Sequence, residues 1–184
     1  MKTAPVNIDD TTTRSNKDML DGCSVETSTE FISSTPKHLY NWWQTLQVKT
    51  QRQHIQWLDV DMMDLFKIAP NLMVKDVCDD GAEFKNRYWG SALRDYFGVD
   101  ATGLFIKEYF DLNHQEQALT LLRFVTQDNR PVKVTGRADF FKFSQYVPVE
   151  ACYIPLYDST DKATNIIVAY QFESPRTSAD NDEY

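Results

Sequence analysis

Glycine is scarce in this chain, with six in 184 residues, and none builds a phosphate-cradling loop or a Gly-x-Ser-x-Gly nucleophile elbow. There is no His-Glu-x-x-His pair, and His38, His54 and His114 lie far apart. The expectation is a protein that is not an enzyme, with no catalytic residue to nominate. Cys23, Cys78 and Cys152 include no Cys-x-x-Cys pair, which argues against a zinc site or a redox dithiol. Cys78 and Cys152 sit in strand-like sequence and read as buried reduced thiols. No apolar run approaches the roughly 20 residues that span a bilayer. Residues 1–18 lack the apolar stretch of a secretory signal and carry Asp9, Asp10 and Asp18. Asn-x-Ser/Thr is absent as well. These absences point to a cytoplasmic protein with no membrane partner.

Basic excess is also lacking. The net charge is −8, of which residues 1–35 carry −3 and residues 173–184 another −3. The segment between them is nearly balanced. A balanced domain with acidic ends is a poor match for a phosphate backbone, so no direct nucleic-acid contact is expected.

What the chain does have is 42% hydrophobic residues, including eleven Phe, nine Tyr and four Trp. That is an ordinary globular core, with no need of disulfides or metals at this length. Residues 1–35 are rich in Thr, Ser, Asp and Asn and read as a mobile N-terminal segment in which Phe31 and Ile32 pack locally. Residues 173–184 read as an acidic flexible tail. The single domain expected between them spans 36–172.

Thr35 and Pro36 open the first firm element, as N-cap and first helical residue. Leu39, Trp42, Trp43 and Leu46 then follow the spacing of one helix face. A short helix is predicted from Asp59 or Asp61, carrying Met62, Met63, Leu65 and Phe66 and closed by Pro70. Strand-like runs at 72–77 and 83–89 flank Asp79-Asp80-Gly81, a hairpin signal. Short helices are expected from Ser91 to before Gly98 and over 104–110. Asn113, with Glu116 three residues on, predicts the cap of a longer helix carrying Ala118, Leu121, Leu122 and Val125. Three strands follow, over 132–142, 147–156 and 164–173. Two strands, then helices, then three strands predict an α+β fold with a five-stranded antiparallel sheet, helices on one face and an N-terminal helical extension.

The same order is the PAS layout, and a set of residues carries a closer likeness. They are Trp42-Trp43, Asp59-Val60-Asp61, Pro70, Asp76, Phe84-Lys85-Asn86-Arg87, Gly90-Ser91, Phe97-Gly98 and Thr102-Gly103. Pro155-Leu156, an acidic turn and Ile166-Ile167-Val168 continue it. In that order and spacing, over roughly 36–172, the chain resembles a bacterial family of stand-alone PAS-like proteins. One departure is Trp89, where the family has a small or apolar residue. The resemblance implies a sensory or regulatory domain and names no cofactor. Too few residues lie outside the PAS-like region for an attached effector, so the signal is expected to pass to a separate protein.

The candidate ligand site lies between the helix near 114–127 and the last three strands. Trp89, Phe105, Leu122, Phe140, Tyr153 and Tyr170 would line it, with the two tyrosine hydroxyls orienting a small molecule. Arg87 is a candidate for an anionic ligand, or else an ion-pair partner of Asp76 or Asp100. The alternative is a ligand-free interaction module whose interior is filled by Trp89. Asp76, Asp79, Asp80 and Glu83 cluster at the hairpin, where a solvated turn is favoured over a cation site and no metal is expected. His114 reads as part of a helix cap ahead of a haem ligand. Leu39, Trp42, Trp43 and Leu46 form the expected homodimer interface, with packing on the chain's own core as the other reading.

Overall fold

The structure is a computed structural model that describes residues 15–16, 22–27, 30–140 and 143–173. The mobility expected of the acidic tail, and of most of residues 1–35, falls on segments outside the described residues.

Seven strands form one antiparallel sheet in the order β1-β2-β5-β6-β7-β3-β4. They are β1 (Ser15–Asn16), β2 (Cys23–Glu26), β3 (Leu72–Cys78), β4 (Glu83–Trp89), β5 (Val132–Phe140), β6 (Phe143–Tyr157) and β7 (Ala163–Phe172). The last five are the strands predicted from the pattern. The sheet exceeds the expected five strands because Cys23–Glu26 pairs with β5 along Lys133–Gly136 and brings Ser15–Asn16 with it. Four residues in polar surroundings give no local strand signal; their order comes from the open edge of β5.

The helices are α1 (Ser34–Thr50), α2 (Ser91–Phe97) and α3 (Leu112–Asp128). A 3-10 helix over Met62–Asn71 stands where the short helix from Asp61 is predicted, with Asp61 capping the Met63 N–H. Asp111 caps α3, two residues before the expected Asn113, by accepting from the His114 N–H at 3.0 Å.

α2 and α3 cover one face of the sheet, and α1 with the 3-10 helix covers the other. The reason is written in β6 and β7. From Val147 to Tyr157 and from Asn165 to Tyr170 nearly every residue is buried. Ala151, Tyr153, Val168 and Tyr170 point to α2 and α3, whereas Cys152, Ile154, Ile167 and Ala169 point to α1. A strand buried on both sides needs a layer on each. Gly90 links β4 to α2 because a Cβ there would fall 2.2 Å from the Pro70 carbonyl oxygen.

Candidate functional site

β3 presents Met73, Lys75 and Val77 to the layer formed by α2 and α3. Met73 and Val77 join its apolar core, so Lys75 is a lysine in phase with buried apolar residues. It is 3% exposed. Its Nζ donates to Asn86 Oδ1 at 2.5 Å and to the Tyr109 hydroxyl at 3.0 Å. Among the described residues no carboxylate lies within ion-pair distance of it. Burial pushes its pKa from 10.5 down to about 7, against the weaker opposing field of Glu83.

Each partner is fixed by its own backbone. Asn86 pairs with Lys75 across the β3–β4 hairpin, and Asn86 also holds the loop after α2. Its N–H donates to the Leu104 carbonyl at 2.9 Å, and its own carbonyl accepts from the Gly103 N–H at 2.8 Å. Tyr109 follows a single 3-10 turn at Ile106–Glu108, which drops its ring over the hairpin. Burial pushes the Tyr109 hydroxyl well above its usual range.

Trp89 closes the cluster. Its ring meets Phe97 edge-on at 5.1 Å and Tyr109 at 5.6 Å, and the Lys75 Nζ lies 5.9 Å from its centroid. The indole is 6% exposed, and among the described residues its Nε1–H has no hydrogen-bond partner. Phe97 continues the aromatic contacts to Tyr170 at 6.3 Å. The Tyr170 hydroxyl shares a 2.6 Å hydrogen bond with that of Tyr153, inside the core. Cys23 enters the same core from β2, its thiol pushed up to about 11 by burial.

The residues expected to line a ligand site divide. Trp89, Leu122, Tyr153 and Tyr170 are all buried in this one core. Phe105 is not: its half-buried ring lies at the edge of β4, between Lys85 Nζ at 5.5 Å and Lys107 Nζ at 5.4 Å. The Phe140 side chain is outside the described residues. Arg87 leaves the site entirely. It pairs with Asp76 at 2.6 Å and stacks over Trp57 on the α1 side, with its side chain 49% exposed. The cause is a β-bulge. Val74 pairs with Tyr88 and Lys75 with Asn86, so Arg87 stands opposite no β3 residue and the side-chain phase flips there. Leu39, Trp42 and Leu46, expected at a dimer interface, are buried against their own sheet, and Trp43 is half-buried beside Tyr40.

Lys75 and Tyr109 are not singled out by the sequence, and Asn86 enters there only within the Phe84–Arg87 likeness. The available signal was a lysine in the buried phase of the apolar run Leu72–Cys78.

Three of the four hairpin carboxylates are engaged. Asp76 binds Arg87 and Asn165, Asp80 meets Lys162, and Glu83 accepts from the Phe84 N–H. No described group of three or more His, Cys, Asp or Glu could hold a metal ion. A cleft of about 500 Å³ beside them is lined by Asp79, Asp80, Arg123 and Lys162. Arg123 spends its guanidinium on the Gly81 and Ala82 carbonyls, which ties α3 to the hairpin. His114 lies at the start of α3, hydrogen-bonded to Asp111 at 2.7 Å. No described helix is long and apolar enough to cross a membrane.

No family model and no curated protein matches the chain. Among solved structures, the PAS domain of BvgS from Bordetella pertussis is similar at 22% identity and a TM-score of 0.49, over 64% of this chain and 90% of that one. An RNA-binding Light-Oxygen-Voltage receptor is similar at 15% identity and a TM-score of 0.41, over 59% of this chain. The match spans 32%, about a third, of that receptor. In its own strand order, β5-β6-β7-β3-β4, with α2 and α3 on one face, the chain has an α+β fold of PAS-like layout.

Proposed function

We propose that the chain is a sensory or regulatory domain that receives a small molecule at Lys75, Asn86, Tyr109 and Trp89 and passes the signal to a separate protein. One observation carries this reading. Among the described residues a lysine 3% exposed is held by neutral partners alone, beside an indole ring whose N–H has none. Each such group costs free energy to bury, and a lysine without a carboxylate partner costs more than the indole N–H, which Trp42 also buries unpaired in the α1 layer. A perturbed titratable group among aromatic walls is the usual physical signature of a working site. Nothing in the cluster supplies a nucleophile–base pair of the kind acyl or phosphoryl transfer needs, so binding is favoured over catalysis.

Thermal unfolding with a panel of small carboxylates, carbonyl compounds and bicarbonate-equilibrated CO2 tests the reading. A compound at about 100 times its Kd should stabilise the protein by about 2.7 kcal/mol. The Lys75→Met variant should lose that response. If no compound shifts the wild-type transition, the reading falls.

The second reading, a ligand-free interaction module, is favoured by the close contacts of Trp89 with Phe97 and Tyr109. Under it Trp89→Ala should cost about 3–5 kcal/mol, as for a large residue deleted from a filled core. Beside a ligand space the loss should be smaller and accompanied by altered ligand response.

A further inference from the structure

We propose that Lys75 captures carbon dioxide as a carbamate on its side-chain nitrogen, so that dissolved CO2 is the small molecule sensed here. This rests on the reading of the Lys75 cluster as the receiving site and names its ligand.

The first argument is space. Trp89 and its neighbours occupy the volume a larger metabolite would need, with Phe97 at 5.1 Å and Tyr109 at 5.6 Å from the indole. A triatomic, uncharged, apolar gas needs far less room and loses little hydration on entering such a core.

The second is the state of the amine. Only a neutral amine carries the lone pair that attacks CO2. Lys75 contacts no carboxylate that would hold it as an ammonium; its partners are Asn86 Oδ1 and the Tyr109 hydroxyl. The acidic group whose field opposes the neutral form, Glu83, is engaged with the Phe84 N–H. With its pKa brought down to about 7, roughly half of Lys75 is neutral at neutral pH. A lysine of ordinary pKa, about 10.4, is neutral in only about one molecule in 2,500. Burial therefore raises the neutral, reactive fraction of Lys75 about a thousandfold over that of a surface lysine; the anionic product bears the same desolvation cost and needs donors of its own.

The third is the product. A carbamate presents two oxygens that need donors. Among the described residues the Trp89 Nε1–H is buried without a partner, and the Tyr109 hydroxyl oxygen, which accepts from the unreacted amine, lies 3.0 Å from the nitrogen that reacts. In the step itself, the nitrogen lone pair forms the N–C bond and one C=O π pair moves onto oxygen. The nitrogen then releases one proton to water. Amine plus CO2 gives carbamate plus H⁺, with nothing oxidised or reduced. A lysine that was neutral or cationic becomes an anion inside the core. Asn86, which holds Gly103 and Leu104, and Tyr109 must both respond to that reversal.

The test uses the intact protein equilibrated with 13C-bicarbonate at about neutral pH. The carbamate is fixed by O-ethylation with a trialkyloxonium salt, and the labelled residue is located by peptide mass spectrometry. Lys75 should carry the label well above every other lysine. Trp89→Phe keeps the ring and removes the N–H, so labelling should fall about tenfold. A folded wild type with no more label at Lys75 than at surface lysines overturns the proposal. Undiminished labelling in Trp89→Phe overturns its geometry. Thermal unfolding of the same samples with the carboxylate panel separates the two failures. Stabilisation by a carboxylate with Lys75 unlabelled removes CO2 and leaves a sensor; no stabilisation and no label removes both.

Discussion

The Glu150 carboxylate on β6 accepts the Ser33 backbone N–H at 2.5 Å, so a strand residue 117 positions away caps the first helix. Ser33 is the N-cap of α1 yet makes no cap with its own side chain. Glu150 also accepts the Ile32 N–H at 3.1 Å and lies 3.4 Å from Lys133 Nζ. Burial raises the Glu150 carboxyl, but the Ser33 and Ile32 N–H groups and Lys133 outweigh it, and the group sits below its usual range.

Glu150→Gln should therefore cost about 2–3 kcal/mol at neutral pH, the loss of charge-assisted bonds to a helix N-terminus. The sign of the pH dependence follows from the lowered pKa. The contribution is complete above the unfolded value of about 4.3 and fades as pH falls through the folded one. Urea unfolding at about pH 7 and about pH 3 should show the variant and wild type converging in acid. A constant gap would mean that the carboxylate charge plays no part.

For Lys75 the sign is opposite on the pH axis. Its folded pKa, about 7, lies below the ordinary 10.5, so the unfolded chain holds the proton more tightly. Stability should rise with pH between those two values and be flat outside them. The full span corresponds to on the order of 4–5 kcal/mol at about 1.36 kcal/mol per pH unit. Lys75→Met should flatten this rise, whatever its absolute stability. Denaturant midpoints at about pH 6, 8 and 10 for both proteins measure the difference. Parallel profiles would show that Lys75 titrates normally.

β2 hangs on one glycine. Gly136 stands opposite Cys23 with φ of +150°, and a Cβ there would come 2.3 Å from the Gly22 carbonyl oxygen. Gly136→Ala should detach Cys23–Glu26 while leaving the five-stranded remainder folded. Amide hydrogen exchange should speed up at residues 23–26 by at least about tenfold and stay slow in β6 and β7. Unchanged protection at Val25 would contradict this.

Local chemistry carried most of the fold. The hairpin over 72–89, the α3 face of Leu121, Leu122 and Val125, and the three closing strands all follow from periodicity and turn residues, and they appear within a few positions of their predicted bounds. The segment Cys23–Glu26 did not, because its burial depends on pairing with β5, more than a hundred residues away. The site was legible in part. Trp89, Leu122, Tyr153 and Tyr170 follow from aromatic and apolar positions on predicted elements. Strict alternation from Trp89 would place Arg87 beside it, and only the bulge moves it to the other face. Lys75 looks like an ordinary solvated strand lysine until Tyr109, 34 positions on, covers it.

The sheet also sorts the indoles. Trp42, Trp43 and Trp57 lie on the α1 side, and Trp89 is the single tryptophan on the side of α2 and α3. Ultraviolet emission from the chain is thus a sum of two spatially separate signals. In Trp89→Phe the remaining tryptophan light comes from the α1 layer only. Subtracting it from the wild-type spectrum isolates one chromophore, seated 5.9 Å from the Lys75 nitrogen. Events in either layer can then be followed optically without attaching a dye.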